Sequence, residues 1–289
     1  MAHIFLDAMG GDNAPHSTVA GALEALRENK ELKVTLAGVE EEIRPLLLQA
    51  EDVMDRITVL HTADVITNHD APVMAVRQKK KSSMSIAVDL VKSGVADAVL
   101  SAGNTGALLV GSICRLGLLP GLKFPALVSA LPCNGENLLC LVDCGANVEC
   151  TADNLVQFAR MGHVFAKSYC GIDAPRIGLM SVGREKQKGT ELTRQAYEKI
   201  DSLGLNFVGN VESSYIFTGK IADVVVADAF VGNSILKMAE ALYRINTRLT
   251  PFKPWLLNLL RPVLEPICEK LYYHQNFWNA MNYESVGGT

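Results

Sequence analysis

The sequence lacks the features of several large functional classes. Its formal net charge is -4, so it lacks the basic excess that a nucleic-acid-binding protein usually carries. Its seven cysteines include no CxxC pair and do not cluster with histidines at zinc-binding spacing, so we expect no metal site and reduced cysteines in a cytosolic protein. No apolar run approaches the roughly 20 residues of a membrane-spanning helix. The N-terminus has no signal-peptide pattern.

The common catalytic motifs are missing too. The sequence contains no GxGxxG dinucleotide motif and no GxxxxGK[ST] phosphate loop. It contains no HExxH and no GxSxG. Nucleotide hydrolysis, zinc proteolysis and serine-hydrolase chemistry therefore lack their usual sequence support.

Short apolar strands alternate with helical segments along the first 242 residues. This alternation predicts an α/β fold with a mostly parallel sheet that helices cover on both faces. The length of 289 residues and the hydrophobic fraction of 49% fit a single α/β domain with an insertion, or two lobes that share a sheet. Among the local expectations are a helix at 40–50 weakened by Pro45, a strand at 138–142, a helix at 152–166 capped by Thr151, and turns at 209–212 and 228–234.

Several strands end in turns that are rich in Gly, Asn and Asp. The carboxyl ends of parallel strands meet at one sheet edge, where α/β proteins bind their ligands. Most of these turns lead into a predicted helix, and the free N–H groups at a helix N-terminus favour phosphate-like anions. Lys188 is a cation in such a turn. Together with the neutral side-chain donors of these turns, it suits the binding of inorganic phosphate or of an acyl-transfer oxyanion. The competing interpretations are that these stretches are plain Gly-Asp turns without a ligand, and that Lys188 is a solvated lysine in a charged loop.

Cys144 is a candidate nucleophile because it lies at a strand end beside Gly145. No histidine is near it in the sequence, and a small apolar residue would fill the same position. A structural cysteine is the competing interpretation.

The segment at about 244–278 differs from the rest of the chain. It is rich in proline, and basic residues surround its apolar side chains. One interpretation is a broken helix on an anionic membrane surface. The other is a helical hairpin that packs on a partner subunit. The candidate membrane contacts are Trp255, Leu256, Leu259 and Leu260.

Taken together, the motifs resemble those of the bacterial phosphate acyltransferases of phospholipid synthesis. The matching stretches are DAMGGDNAP at 7–15, SSM at 82–84, SAGNTGAL at 101–108, DCGAN at 143–147, QFARMG at 157–162, KG at 188–189, GNVE at 209–212 and DAFVGN at 228–233. They follow the family order over most of the chain.

The resemblance implies a three-layer α/β/α fold like that of the isocitrate/isopropylmalate dehydrogenases, with a C-terminal helical hairpin, in one domain over 1–289. It implies a homodimer that reversibly transfers a fatty acyl group from acyl-acyl carrier protein to inorganic phosphate, without a cofactor. The acyl phosphate would feed a membrane glycerol-3-phosphate acyltransferase. A coenzyme A-dependent phosphotransacetylase-like enzyme and a non-catalytic carrier-protein-binding protein are the alternatives. The expected location is cytoplasmic and peripherally membrane-associated.

The resemblance also implies roles for individual residues. Lys188 and Asn233 take the catalytic positions. The expected phosphate- and acyl-binding residues are Asp7, Gly10, Gly11, Asn13, Ser101, Gly103, Asn104, Thr105, Asp143, Asn147, Gly183 and Asp228. The basic run Lys79, Lys80 and Lys81 is either the dock for the acidic carrier protein or a solvated charged face.

The sequence departs from the family pattern near the expected site. Arg184 and Lys186 stand in a run that is usually acidic, and only Glu185 remains. Ala229 stands where glycine is common, and Cys144 where an apolar residue is usual. Family members continue beyond the point where this sequence stops, so we expect a shortened C-terminus.

Overall fold

The computed structural model describes residues 1–133 and 138–249, with side chains up to residue 242. The fold is mixed α/β, and its strands form one sheet of four strands and one of five. The chain divides into two compact units at Gly121 and Leu122. The alternation of strands and helices predicts one mostly parallel sheet, whereas the described strands form two, one in each unit.

Unit 1 contains a wholly parallel sheet. Its strands are β1 (Ala2–Asp7), β2 (Leu32–Gly38), β3 (Ile57–His61) and β4 (Ala98–Ser101), in the order β3-β2-β1-β4. Its helices are α1 (His16–Glu28), α2 (Glu40–Ile43), α3 (Pro72–Gln78), α4 (Ser83–Lys92) and α5 (Thr105–Arg115), with 3-10 helices at Arg44–Leu47 and Met54–Arg56. Phe5 and Leu6 belong to different buried clusters, as expected for successive residues of a strand that is buried on both faces.

Unit 2 contains the five-stranded sheet. Its strands are β5 (Val128–Pro132), β6 (Leu138–Val142), β7 (Ile177–Met180), β8 (Phe207–Val211) and β9 (Val224–Val226), in the order β5-β6-β9-β7-β8. Its helices are α6 (Ala152–Ser168), α7 (Glu191–Asp201) and α8 (Ala229–Leu249), with a 3-10 helix at Ser213–Thr218. The edge strand β5 is antiparallel to β6, and the other pairs are parallel.

The structure confirms some local predictions. The strand at Leu138–Val142 has the predicted bounds. Helix α6 starts at Ala152, and Thr151 and Asn154 form a reciprocal capping box before it.

Three local predictions are wrong. The helix predicted at 40–50 stops at Ile43 and continues as a 3-10 helix that contains Pro45, because proline has no N–H group to donate. Residues 209–211, predicted as a turn, pair with β7 as the end of β8. The turn predicted at 228–234 is largely the start of α8, which begins at Ala229.

Most of the C-terminal segment lies outside the described residues. Helix α8 covers its first residues, up to Leu249. The hairpin predicted at about 244–278 and its candidate membrane contacts, Trp255, Leu256, Leu259 and Leu260, are otherwise not described. Among the helices of the described residues, none is long and apolar enough to cross a membrane.

Candidate functional site

In unit 1, the buried carboxylate of Asp7 joins three chain segments. Strands β1 and β4 are in register with Asp7 opposite Ser101, and the Ser101 hydroxyl donates to Asp7 Oδ2 at 2.7 Å. The Ser83 hydroxyl, at the start of α4, donates to Asp7 Oδ1 at 2.5 Å. Burial raises the pKa of Asp7, and the two hydroxyl donors partly offset this effect. Asp7 therefore holds the loops in place.

Two glycine-containing loops touch through their backbones beside Asp7. A Cβ atom on Gly10 would lie 2.9 Å from the Gly103 nitrogen and 2.7 Å from Asp7 Oδ2. The Gly103 N–H donates to the Ser101 hydroxyl oxygen at 3.1 Å. Gly11 has φ +103°, which favours glycine. The glycines that the sequence singles out are thus needed for a close approach of the two loops.

Asn104 and Thr105 begin helix α5 in different ways. The Asn104 Oδ1 atom accepts from the Ala107 N–H at 2.9 Å and caps the helix. Its amide group donates to the carbonyls of Thr67 and Asp70, at 3.1 and 3.0 Å. The side chain of Asn104 is thus fully used in fixing the loop, whereas that of Thr105 is exposed.

The other predicted residues of unit 1 are on its surface. The side chain of Asn13 is exposed, and its carbonyl accepts from the Ser17 N–H at 3.1 Å. Lys79 is half-buried and binds Asp70 Oδ2 at 2.6 Å and the Val65 carbonyl at 2.8 Å. Lys80 and Lys81 are exposed. The structure therefore gives Lys79 a role in holding its own loop.

In unit 2, Asp143 organises the DCGAN loop at the end of β6. The residue is completely buried. Its Oδ1 atom accepts from the N–H groups of Leu127, Gly145 and Ala146 at 3.0 to 3.1 Å. Its Oδ2 atom accepts from the N–H and the side-chain amide of Asn147, at 2.8 and 2.7 Å. Asp143 and Asn147 therefore stabilise the loop through contacts with each other.

The DCGAN loop fixes the start of helix α8. The Ala229 N–H donates to the Asn147 carbonyl at 3.0 Å, and Asp228 caps the helix by accepting from the Val231 N–H at 2.9 Å. A Cβ atom on Gly232 would lie only 1.9 Å from the Asp143 carbonyl oxygen. Asn233 follows directly, and its side chain is exposed.

The turn after β7 separates Lys188 from the other cations near it. Lys186 binds Glu198 at 2.9 Å and lies over the ring of Tyr197 at 5.2 Å. Arg184 lies over the ring of Tyr215 at 5.6 Å. Lys188 is exposed and takes part in no ion pair of the described residues.

Lys188 stands just before the start of helix α7. Its N–H donates to the Glu185 carbonyl at 2.9 Å. Gly183 is buried against its stem, since a Cβ there would lie 3.1 Å from Lys188 Cγ. Thr190 caps α7, whose N-terminal N–H groups favour an anion nearby.

Two buried polar atoms near this turn were not among the predicted site residues. Ser181 Oγ and Asn210 Oδ1 make no hydrogen bond within the described part of the chain. The Asn210 amide donates to the Glu185 carbonyl at 2.8 Å. Ser83 was missed as a site residue as well, although the SSM motif contains it. For Ser83 and Asn210 the missing information was the pairing of segments far apart in sequence.

Cys144 has the environment of a structural cysteine. Its side chain is buried, and its thiol donates to the Leu141 carbonyl at 3.2 Å. Burial raises the pKa of the Cys144 thiol, which disfavours the nucleophilic thiolate. The described residues contain no group of three or more His, Cys, Asp or Glu side chains that fits a metal ion.

The fold and these turns define an α/β protein with a lysine and helix N-termini at the carboxyl edge of a mainly parallel sheet. The family model "Fatty acid synthesis protein" matches residues 2–252. A phosphate acyltransferase of Thermoanaerobacterium thermosaccharolyticum is 42% identical over 99% of this chain and 83% of its own length. One of Bacillus thuringiensis is 48% identical over 82% of this chain and 70% of its own.

The chain belongs to this family, the phosphate acyltransferases, which are transferases of lipid biosynthesis. The resemblance inferred from its motifs is confirmed. Among solved structures, a phosphotransacetylase from Streptococcus pyogenes is similar, with a TM-score of 0.61, 20% identity, and 83% of this chain and 82% of that chain covered. A branched-chain phosphotransacylase from Enterococcus faecalis has a TM-score of 0.58 at 19% identity, over 83% of this chain and 84% of that chain. At these identities the likeness concerns the fold.

Proposed function

We propose that this protein reversibly transfers a fatty acyl group from acyl-acyl carrier protein to inorganic phosphate. The products are an acyl phosphate and free carrier protein, and no cofactor takes part. The observation that carries the proposal is the position of Lys188, an exposed cation beside the start of α7. The neighbouring cations, Lys186 and Arg184, contact Glu198 and the ring of Tyr215 instead. Membership in the phosphate acyltransferase family supports the same reaction.

The reaction needs no activated side chain as nucleophile. Phosphate is an anion at neutral pH, and one of its oxygens attacks the thioester carbonyl carbon. The oxyanion that forms collapses, the C–S bond breaks, and the carrier-protein thiolate leaves and takes up a proton. The protein's contribution is then to orient phosphate and thioester and to stabilise the oxyanion.

Lys188 and Asn233 are the residues we propose for this chemistry. They follow β7 and β9, which are adjacent and parallel, so their turns leave the same sheet edge. Lys188 supplies a positive charge for phosphate, and the exposed amide of Asn233 supplies a neutral donor for the thioester oxygen. The turns that carry these two side chains are held in place by Gly183, Asp143, Asn147 and Asp228.

The residues of unit 1 divide into ligand-binding and loop-holding groups in our proposal. The exposed Thr105 and the backbone around Gly11 are available to bind phosphate or the acyl group. Asp7, Ser101 and Asn104 already use their polar atoms within the loops and therefore act by positioning. Gly10 and Gly103 permit the close loop contact, and Asn13 remains a candidate surface ligand.

The partners are also proposals. Lys80 and Lys81 are suited to an acidic carrier protein because both are exposed, whereas Lys79 is held by Asp70. We further propose a cytoplasmic homodimer with a three-layer α/β/α arrangement. A C-terminal hairpin would lie on the membrane surface and pass acyl phosphate to a membrane glycerol-3-phosphate acyltransferase.

The test is a phosphate-dependent release of carrier-protein thiol. Acyl-acyl carrier protein and acyl-coenzyme A are compared as donors, and hydroxylamine traps the acyl phosphate. We expect release from the carrier-protein donor only with phosphate present, together with acyl hydroxamate. Preference for acyl-coenzyme A would favour a phosphotransacetylase-like enzyme. Binding of the carrier protein without release would favour a non-catalytic protein.

A further inference from the structure

Two cysteine side chains of unit 2 lie side by side. The sulfur atoms of Cys140, on β6, and Cys170, just after α6, are 3.5 Å apart. Both are free thiols. A disulfide bond needs a sulfur separation of about 2.05 Å, so the two atoms must approach by roughly 1.5 Å.

The two thiols differ in their access to solvent. Cys140 is completely buried, whereas Cys170 is partly exposed. Burial and the neighbouring Cys170 thiol raise the pKa of Cys140. A small oxidant therefore meets Cys170 first, and Cys140 is placed to react with the modified sulfur.

The surroundings make the pairing selective. Cys140 belongs to the core cluster on one face of the sheet, and its N–H donates to the Asp223 carbonyl at 2.8 Å. Cys133 and Cys144 belong to a different cluster. That cluster also contains Leu139 and Leu141, the neighbours of Cys140 in β6, and successive residues of a strand face opposite sides of the sheet. The cluster with Cys133 and Cys144 therefore lies on the other face of the sheet from Cys140. We expect Cys170 to make the movement that brings the two sulfur atoms together, because it follows the end of α6.

We propose that Cys140 and Cys170 form a reversible disulfide with a small disulfide oxidant such as glutathione disulfide. The Cys170 thiolate attacks one sulfur of the oxidant, forms a mixed disulfide and releases one thiol. Cys140 then loses its proton and attacks Cys170 Sγ, which releases the second thiol. Two protein thiols are oxidised and one oxidant disulfide is reduced to two thiols, so atoms and electrons balance.

The bond would link the end of α6 to the middle of β6. It would close a loop that contains the DCGAN turn and all of α6. Closing a loop of this size restricts the unfolded chain, so the oxidised protein should melt at a higher temperature than the reduced protein.

The experiment treats the full chain with glutathione disulfide, blocks the remaining thiols by alkylation and maps disulfides by mass spectrometry without reduction. We expect a Cys140–Cys170 cross-link that dithiothreitol reverses and that raises the melting temperature. The exposed Cys114 reports that the oxidant has acted, because it should acquire glutathione. Glutathione on Cys114 with no Cys140–Cys170 cross-link would overturn the proposal.

Two variants test the order of the steps. Cys140→Ala should retain glutathione on Cys170, because the attacking thiol is gone. Cys170→Ser should abolish the cross-link and the rise in melting temperature. Because Cys170 is partly exposed, this variant tests the proposal even if Cys140→Ala does not fold. Cys144→Ser is the matched control and should retain both the Cys140–Cys170 cross-link and the rise in melting temperature. A cross-link of Cys140 to another cysteine in Cys170→Ser, at the wild-type rate, would contradict the selectivity.

Discussion

Gly232 is the position where one added methyl group tests the packing of helix α8 most sharply. A Cβ atom there would lie 1.9 Å from the Asp143 carbonyl oxygen and 2.9 Å from its carbonyl carbon. Carbon and oxygen atoms normally remain about 3.3 Å or more apart, so the contact is short by roughly 1.4 Å. The opposing atoms are backbone, and the carboxylate hydrogen bonds of Asp143 hold that backbone in place.

The expected cost of Gly232→Ala follows from two opposing terms. Overpacking a well-filled site costs about 1–3 kcal/mol, and a backbone clash of this size belongs at the upper end. Alanine in place of glycine in a helix gains about 1 kcal/mol. We therefore expect a net loss of about 2 kcal/mol. Because Asn233 follows Gly232, a displacement of about 1 Å should also reduce kcat, by up to about 100-fold.

Gly111 in α5 is a matched control for this prediction. A Cβ atom there would meet only Val76 Cγ2, at 3.8 Å, which is ordinary contact. Gly111→Ala should therefore stabilise the protein by up to about 1 kcal/mol. Urea unfolding followed by far-UV circular dichroism gives both midpoints. Equal midpoints for the two variants, or a Gly232→Ala protein as active as wild type, would refute this account of the α8 contact.

Three carboxylates give further predictions. Asp143→Ala should lose at least about 3 kcal/mol of stability in urea unfolding, since it leaves several buried N–H groups without an acceptor; a change below 1 kcal/mol would contradict this. For Asp223, burial opposes ionisation but its hydrogen bonds with Arg176 outweigh it, so its pKa is lowered. The stability advantage of wild type over Asp223→Asn should hold above pH about 4 and disappear as pH falls through the lowered pKa. The pH dependence for Asp7 should be the opposite, because the pKa of Asp7 is raised. The stability advantage of wild type over Asp7→Asn should be full below pH about 4 and shrink as pH rises through the raised pKa. Urea midpoints measured from pH 3 to 7 check both, and parallel pH profiles for the two variants would count against them.

Local signals predicted two features of unit 2, the DCGAN turn and the cap of α6. The buried Asp143 and its Gly-Ala-Asn turn stand where a strand-end loop was expected, and Thr151 caps α6 as predicted. Such features depend on residues that are close in sequence. The start of α8 was misplaced because its capping residue, Asp228, is followed by residues that also suit a loop.

Other features depend on contacts that no short stretch contains. The bond from Ser83 to Asp7 spans 76 positions, so only the tertiary structure reveals that Ser83 belongs to the loop cluster. The division into two sheets and the antiparallel pairing of β5 likewise follow from tertiary packing. Sequence departures at Arg184 and Lys186 are explained the same way, since both cations contact tyrosine rings of other elements.

A matched pair of lysine variants tests the central claim most directly. Lys188→Ala removes the exposed cation beside α7, whereas Lys186→Ala removes a cation already bound to Glu198. The measurement is kcat/KM for inorganic phosphate with acyl-acyl carrier protein as donor. We predict a loss of about 100-fold or more for Lys188→Ala, in the range found when one transition-state donor is removed, and less than about threefold for Lys186→Ala. Equal losses in the two variants, or wild-type activity in Lys188→Ala, would contradict the account.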